Sequence, residues 1–469
     1  MNDRQKIIDA RSNDTALFYK IINQQRGRLT RFIDELQVDG STFQTPEYIM
    51  NEWSIHFGQL AKTSTTENVD NDYLKLMEQE MDVIMQICQD QVVHKEVCNE
   101  ELLKAVRKRN TNKAADYFGI TAENVINGSV LLLNYLQNLI NVSFKNCHIP
   151  DILKIGTIFP VYKNKGDIKN AKNYRGITVT LTFSTIIEKI VKIREDFKII
   201  NTQNPLQKGF TEKSVALLCY FLIVEFDRES KDLDLPTYIG FLDSKSAFDV
   251  VVHANLIRRL FQIGISKQSI LMINSVYQNA AFCMKWNNKM SNTMFKIEQE
   301  VRKIDALSAD LYKVYINPLL NILSSTGLGG KIGNINCCAP TCPGDVALIA
   351  NNPLDIQTMV GVAVDFSKIG GYLLQPMKSV VMPVKTTTNT NALEINEGFW
   401  KLDGKDMPVM ENTSHIGIQK SGNNSAQLTV DENIKKSSRA MYSLMGAALH
   451  GIDTETSISL LMTYILPIL

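Results

Sequence analysis

The ten residues 241–250 read FLDSKSAFDV and decide the fold. Apolar residues up to Leu242 predict a buried strand that ends on Asp243, and the residues after it predict a turn into a helix. An aspartate in this position lies at the sheet edge, where its carboxylate can hold Mg²⁺ while it stays partly solvated. The alternative for a lone aspartate at a strand end is a cap on the following helix.

A second apolar strand is predicted about a hundred residues later, and it also begins beside a carboxylate. Residues 342–350 read CPGDVALIA, so that Asp345 leads an apolar run. A carboxylate at the start of this strand could likewise hold a cation.

Six further short segments lie before and after these two predicted strands. They are NKAADYFGI (112–120), FPVYKNKGD (159–167), NYRGI (173–177), NPLQKGF (204–210), QPMKS (375–379) and HIGI (415–418). Taken together, the eight segments resemble, in order, the motifs of reverse transcriptases of non-LTR retrotransposons. Each motif alone is weak, but their shared order favours common ancestry, which bears on fold more than on activity.

The resemblance implies an α+β fold of the right-hand polymerase type, with fingers, an antiparallel palm sheet, a partial thumb and a helical N-terminal region. It implies RNA-directed DNA synthesis, with an RNA template, a DNA primer, dNTPs and two Mg²⁺ ions. Asp243 and Asp345 would be the catalytic metal ligands. The resemblance makes their strands neighbours, so we expect the two aspartates to face each other at the ends of adjacent strands. The implied nucleotide-binding residues are Lys163, Arg175, Phe248, Arg302 and Lys378, of which Phe248 aligns with the aromatic residue that screens the sugar 2′ position.

Two departures from the family pattern fall on the expected active site. Gly344 stands where the family has the first of two adjacent aspartates, and Pro343 before it fixes φ and removes a backbone donor. In addition, residues 300–308 read EVRKIDALS where the family has a Gly-Val-Arg-Gln-Gly run whose glycines let the backbone approach the nucleotide. These changes predict a catalytically impaired polymerase with an incomplete metal site.

The charge balance predicts weak contact with nucleic acid. Lys and Arg number 50 against 49 Asp and Glu, for a net charge of +1, whereas phosphate contacts normally need a basic surface. Basic residues nevertheless cluster between 154 and 175. We expect any nucleic-acid binding to centre on Lys163, Lys165 and Arg175; the alternative is an ordinary solvated face.

The cysteines and the apolar runs give no sign of secretion or of a membrane partner. The longest apolar run, Val215 to Val224, is short of the roughly 20 residues of a membrane span, and the charged start predicts no signal peptide. An intracellular protein of nucleus or cytoplasm, with its eight cysteines reduced, is expected. Cys337, Cys338 and Cys342 lack zinc-site spacing.

Four regions are predicted along the chain. They are a helical N-terminal linker region (1–100), fingers (101–240), palm (241–385), and a primer grip with a truncated thumb (386–469), where the apolar stretch 460–469 suggests truncation. Length alone indicates roughly two to four domains. Predicted helices include 14–32, 71–87, 129–144, 253–262, 266–278 and 431–450. Strands are predicted around 155–161, 178–180, 282–286 and 293–297.

Three functions stay open from the sequence. The first is a residually active polymerase, which would need a substitute for the missing aspartate. The second is an inactive polymerase-fold protein that binds nucleic acid or serves as a scaffold. The third is a decaying transposon relic with no selected role.

Overall fold

The computed structural model describes most of the chain. The described residues are 9, 10, 14, 17, 18, 21, 33–62, 70–164, 166–211, 216–244, 248, 251–299, 306–342, 344–370, 374–384, 398–416, 418–422, 427–444 and 454–466. The chain divides into two compact units. One comprises Asp34–Val409, and the other comprises Met1–Ile33 with Met410–Leu469.

The larger unit mixes helices with short strands. Its helices are α1 (Pro46–Leu60), α2 (Asn71–Asp90), α3 (Asn99–Arg107), α4 (Ala122–Ile126), α5 (Val130–Asn146), α6 (Thr182–Thr202), α7 (Leu217–Asp232), α8 (His253–Gln262), α9 (Lys267–Tyr277), α10 (Ser308–Ser325) and α11 (Pro353–Gly370). Its strands are β1 (Leu36–Val38), β2 (Ser41–Phe43), β3 (Gly156–Tyr162), β4 (Tyr174–Thr180), β5 (Thr237–Asp243), β6 (Ala281–Trp286), β7 (Lys289–Lys296), β8 (Lys331–Ile332), β9 (Ile335–Asn336), β10 (Thr341–Cys342), β11 (Asp345–Ala350), β12 (Val380–Val384), β13 (Lys401–Leu402) and β14 (Lys405–Asp406).

A four-stranded antiparallel sheet carries the two predicted aspartates. Its strand order is β10-β11-β5-β12. β5 is central and buried until its last residue, because its side chains pack against helices and against the neighbouring strands. The α+β class predicted from the sequence is confirmed by this sheet and the surrounding helices.

A second four-stranded sheet has the order β4-β3-β6-β7. Only its β3–β6 pair is parallel. The hairpin between β6 and β7 turns at Asn287 and Asn288, whose φ angles are 48° and 58°. Two consecutive positive φ angles are typical of a type I′ turn, for which asparagine is favoured. The two strands predicted around 282–286 and 293–297 are confirmed, although β7 begins at Lys289, four residues earlier than expected.

Several predicted helices are confirmed at their capping residues. The Ser129 side chain accepts a hydrogen bond from the Leu132 amide at the start of α5, and Ser266 caps α9 in the same way through the Ser269 amide. Helix α8 occupies the predicted span, and Gly264, with φ of 77°, follows it. Short polar side chains accept from free N–H groups of the first turn, which is why these starts are visible in sequence.

Three elements differ from the predictions. Residues 36–43 form a β-hairpin within a region expected to be mainly helical, because Asp39 (φ 45°) and Gly40 (φ 88°) make a tight turn between short strands. The strand predicted from Thr178 begins at Tyr174, since the whole of β4 pairs with β3. The helix after β4, which the sequence predicts to end at Ile193, continues to Thr202 because its apolar face stays buried.

Among its described residues, the smaller unit contains a hairpin, two α-helices and a short π-helix (Leu461–Ile465). The hairpin pairs β15 (Asn412–His415) with β16 (Ile418–Ser421), where the primer-grip motif was identified. Helix α12 spans Gln427–Leu444 and α13 spans Thr454–Leu460. The predicted helix 431–450 is thus described as far as residue 444, and most of the predicted helix 14–32 lies outside the described residues. The four predicted domain boundaries stay predictions.

Within the described ranges, none of the helices combines the length and apolar character needed to cross a membrane.

Candidate active site

The two predicted aspartates lie directly opposite each other. β5 and β11 pair antiparallel, with Asp243 in register with Asp345, so that the last residue of one strand faces the first residue of the other. Buried apolar residues precede Asp243 and follow Asp345. Each strand is buried except at the end that carries the aspartate, so both carboxylates lie at one edge of the sheet. The predicted pairing is confirmed, while the catalytic role of the pair stays a prediction.

Residues 375–379 hold Asp243 in place. The Gln375 side-chain amide donates to Oδ2 of Asp243 at 2.8 Å, and the Gln375 backbone N–H donates to the Asp243 carbonyl at 3.0 Å. The Asp243 backbone N–H donates to Oγ of Ser379 at 3.1 Å. The exposed ammonium of Lys378 lies 3.9 Å from the same Oδ2. The motif that contains Lys378 therefore contacts Asp243 through three side chains.

Both carboxylates are harder to ionise than usual. Desolvation raises the pKa of Asp243, and the Lys378 ammonium partly opposes this effect. Asp345 has an exposed side chain, yet neighbouring protein atoms desolvate its carboxyl, and this effect together with the Asp243 charge raises its pKa. Two like charges at the ends of paired strands account for this second contribution.

The raised pKa of Asp345 predicts that Asp345→Asn increases stability at neutral pH. A carboxyl whose pKa is higher in the folded than in the unfolded chain favours folding when protonated, and this contribution is lost as pH rises through the folded-state pKa. The variant should therefore have a higher Tm than the parent at pH 7, and the difference should vanish below the ordinary aspartate pKa. Thermal denaturation of both proteins from pH 3 to pH 8 measures this difference in Tm. A lower Tm for the variant than for the parent at pH 7 would contradict the prediction.

The turn between β10 and β11 carries the glycine that replaces the family aspartate. Gly344 has φ of 91°, a left-handed conformation that glycine adopts without a Cβ penalty. Its carbonyl accepts a hydrogen bond from Oγ of Ser244 at 3.4 Å. Pro343 lies outside the described residues. The local backbone thus suits glycine and strains any residue with a side chain.

Phe248, five residues after Asp243, packs towards the core. Its ring stacks on Tyr312 with centroids 4.6 Å apart, and the Tyr312 hydroxyl bonds with Ser244. Burial raises the pKa of Tyr312. Phe248 is half-buried against the main hydrophobic cluster, so the contacts describe a packed aromatic side chain. The role of screening the sugar 2′ position stays a prediction.

Two of the predicted basic residues, Lys163 and Arg175, lie on or next to the other four-stranded sheet. Lys163 follows β3, with its ammonium donating to the Lys172 carbonyl at 2.6 Å, and Arg175 is exposed on β4. Both therefore belong to a different sheet from Asp243 and Asp345. Lys165 and Arg302 lie outside the described residues.

Part of the basic run from 154 to 175 is neutralised by carboxylates. Lys154 is buried and pairs with Asp151 at 2.8 Å. Two more lysines of the run form ion pairs with residues of the N-terminal hairpin region; these pairs are Lys169 with Glu35 (2.8 Å) and Lys172 with Asp39 (3.0 Å). These three lysines belong to the basic run but not to the predicted nucleic-acid-binding set, and each has an acidic partner.

Sequence reasoning missed two groups around the carboxylate pair. It identified the 375–379 motif by its lysine and gave no role to Gln375 or Ser379. It also did not place Cys342 directly across from Asp345, or Cys219 close to both. The strand pairing could have suggested the position of Cys342, but the approach of Cys219 from α7 depends on long-range packing.

Comparison with known proteins gives three relatives. The Retrovirus-related Pol polyprotein from type-1 retrotransposable element R2 of Popillia japonica is 24% identical over 247 residues, covering 52% of this chain and 34% of that protein. The corresponding protein from type-2 retrotransposable element R2DM of Drosophila melanogaster is 22% identical, covering 53% of this chain and 24% of its own length. The Transposon TX1 uncharacterized 149 kDa protein of Xenopus laevis is 24% identical, covering 55% and 20%.

The chain shows weak homology, over about half of its length, to two retrotransposon Pol polyproteins and a transposon protein, which supports the predicted resemblance to non-LTR reverse transcriptases. It spans from a fifth to a third of the length of the curated relatives it matches. No protein-family model matches the chain.

Proposed function

We propose that this chain is a reverse-transcriptase-like protein of the right-hand polymerase type whose nucleotidyl transfer is impaired. The observation that carries the proposal is the register of Asp243 with Asp345 across two antiparallel strands, within an ordered set of similar motifs. In this assignment the β10-β11-β5-β12 sheet is the palm. The ancestral reaction is template-directed DNA synthesis from dNTPs on an RNA template and a DNA primer.

The side chains at this pair do not fit a two-metal centre. Two Mg²⁺ ions about 3.5–4 Å apart need several converging carboxylate oxygens. Among the described residues, no group of three or more His, Cys, Asp and Glu side chains converges in a way that could hold a metal ion. Gly344 supplies no oxygen side chain, and Gln375 and Lys378 already contact Oδ2 of Asp243. The pair is suited to one weakly held divalent cation at most.

Weak magnesium binding is the first consequence of this proposal. Affinity for hard cations depends on the number of charged oxygen ligands, and two carboxylates replace the three of the family pattern. We expect a Kd of about 10⁻³ M or weaker by isothermal titration calorimetry, and no binding by Asp345→Asn. Tight stoichiometric binding of Mg²⁺ to the unaltered protein would contradict the proposed impairment.

Nucleic-acid contact is proposed to be weak and sensitive to salt. For duplex DNA, each neutralised phosphate contributes about 0.9 to the slope of log affinity against log salt. Replacing Lys163, Lys165 and Arg175 by Ala should therefore flatten the slope measured with a primer–template duplex. Replacing the exposed lysines 145, 231 and 289 serves as a charge-matched control and should change it less. An unchanged slope in the first variant would place the binding surface elsewhere.

The second candidate function is that of a nucleic-acid binder or scaffold without catalysis. The specific observation in its favour is the incomplete set of carboxylates beside an otherwise packed sheet. Filter binding to a primer–template duplex, combined with circular dichroism and thermal unfolding, distinguishes the alternatives. A folded protein that binds without extending a primer supports the binder. A chain that neither binds nor unfolds cooperatively supports the relic.

A further inference from the structure

Phe210 has an unusual backbone conformation for a bulky residue. Its φ is 49°, in the left-handed region, and its ring is 64% exposed. Bulky side chains rarely adopt this conformation, and residues held in it cluster at ligand-binding and active sites. Burial gives no reason for an aromatic residue here, because most of the ring faces solvent.

The surrounding loop holds Phe210 in place. The buried Lys313 ammonium donates to the Phe210 carbonyl at 3.2 Å. One residue earlier, the Gly209 amide donates to the Gln207 side chain at 3.1 Å, and Gln203 donates to the Gln207 carbonyl at 2.9 Å. These bonds fix the backbone on both sides of the ring. A strained residue persists only where its surroundings impose the strain.

The same loop is attached to the strand beside Asp345. The Lys208 amide donates to the Thr341 carbonyl at 2.9 Å, and the Thr341 amide donates to the Leu206 carbonyl at 2.9 Å. Thr341 precedes Cys342, which lies directly across from Asp345. Residues 206–208 therefore pair with β10 at the edge of the proposed palm sheet, and Phe210 follows two residues later on the same loop.

We propose that Phe210 is a stacking platform for an unpaired nucleobase of a nucleic-acid strand that passes the Asp243–Asp345 edge. This inference rests on the proposed function, because it assumes that the edge faces nucleic acid. A base needs one flat aromatic face, and every base has a π face, so the contact tolerates any sequence. Lys208, two residues earlier on the same fixed loop, supplies a cation for the neighbouring phosphate.

The test measures how a single-stranded oligonucleotide that carries one 2-aminopurine binds to the purified full chain. We expect Phe210→Ala to weaken binding about tenfold and Phe210→Trp to retain it. The matched control is Phe197→Ala, which removes another exposed ring (76%) from the regular helix α6 and should leave affinity unchanged. Binding to the unaltered protein should quench 2-aminopurine fluorescence. With an oligonucleotide that is abasic throughout, the unaltered protein and Phe210→Ala should bind with equal affinity.

A second variant separates a binding role from a structural one. Phe210→Gly removes the left-handed strain along with the ring, so Tm should stay level or rise by about 1–2 °C while affinity falls as in Phe210→Ala. A clear loss of Tm would show that the ring is structural and overturn the inference. Equal affinity of Phe210→Ala and Phe197→Ala would also overturn it and leave the proposed function standing. Absence of any nucleic-acid binding by the unaltered protein would overturn both.

Discussion

A variant that restores both sets of altered residues is expected to extend a primer at least about a hundredfold faster than the unaltered protein. The first set is Gly344→Asp with Pro343→Ala, which returns a metal ligand and frees the turn. The second set is Glu300→Gly, Lys303→Gln and Ile304→Gly, which returns backbone access beside the nucleotide. Either set alone should leave primer extension near background.

The expected non-additivity has a physical reason. Metal placement and substrate alignment act as one unit in such sites, so a defect in either removes most of the rate. Restoring the metal ligand cannot help while the nucleotide is misplaced, and correct placement of the nucleotide cannot help without the metal ligand. Single-turnover primer extension of the four variants measures the coupling. Independent, additive gains from the two sets would contradict the assignment of both defects to one site.

The conformation of the turn makes the substitution at Gly344 unfavourable for the backbone. Gly344 has a left-handed φ of 91°, so an aspartate there strains the backbone by about 1–2 kcal/mol unless the turn relaxes. Pro343→Ala is included because it releases the restriction on φ at the preceding residue. Gly344→Ala, which introduces the same strain without a carboxylate, is the matched control and should have no activity in either background.

Among the substitutions considered, Asp310→Ala is expected to lower the free energy of unfolding most. Asp310 is buried at the start of α10, where its carboxylate pairs with Lys192 and, at 2.8 Å, with the equally buried Lys313. Asp310→Ala leaves the Lys313 ammonium without its carboxylate partner in the interior, which costs about 3–5 kcal/mol. Urea denaturation followed by circular dichroism should show a correspondingly lower free energy of unfolding.

Two controls separate burial from charge pairing in general. Asp72 forms a similar i, i+3 pair with Lys75 at 3.7 Å, but both side chains are exposed, so Asp72→Ala should leave the urea midpoint unchanged. The double variant Asp310→Leu with Lys313→Met removes both buried charges and should recover much of the loss. If Asp310→Ala alone lowered the free energy of unfolding only slightly, the Lys313 ammonium would have to be hydrated in the variant, and the prediction would be wrong.

The central strands could be predicted from the sequence because their signals are local. An apolar run that ends on Asp243, and another that begins at Asp345, each indicate a strand without reference to the rest of the chain. Helix starts at Ser129 and Ser266 were predictable for the same reason, since a capping side chain bonds within its own first turn. The register of the two strands followed from the resemblance, which fixed them as neighbours.

The contacts around the carboxylates could not be predicted in the same way. Gln375 and Ser379 reach Asp243 from more than a hundred residues away in the chain, and no local pattern specifies that approach. The acidic partners of Lys169 and Lys172 come from a hairpin in a region expected to be helical. The hydrogen bond from Lys313 to the Phe210 carbonyl likewise joins residues that are far apart in the chain, and the sequence around Phe210 does not indicate it.

The most direct test of the central claim is a primer-extension assay on the unaltered protein, with Mg²⁺ and separately with Mn²⁺. The double variant Asp243→Asn with Asp345→Asn is the blank, because it removes both carboxylates that could hold a cation. We predict that the unaltered protein and this blank give the same background, while the fully restored variant extends the primer. Extension by the unaltered protein at a rate comparable with the restored variant, and lost in the blank, would contradict an impaired active site.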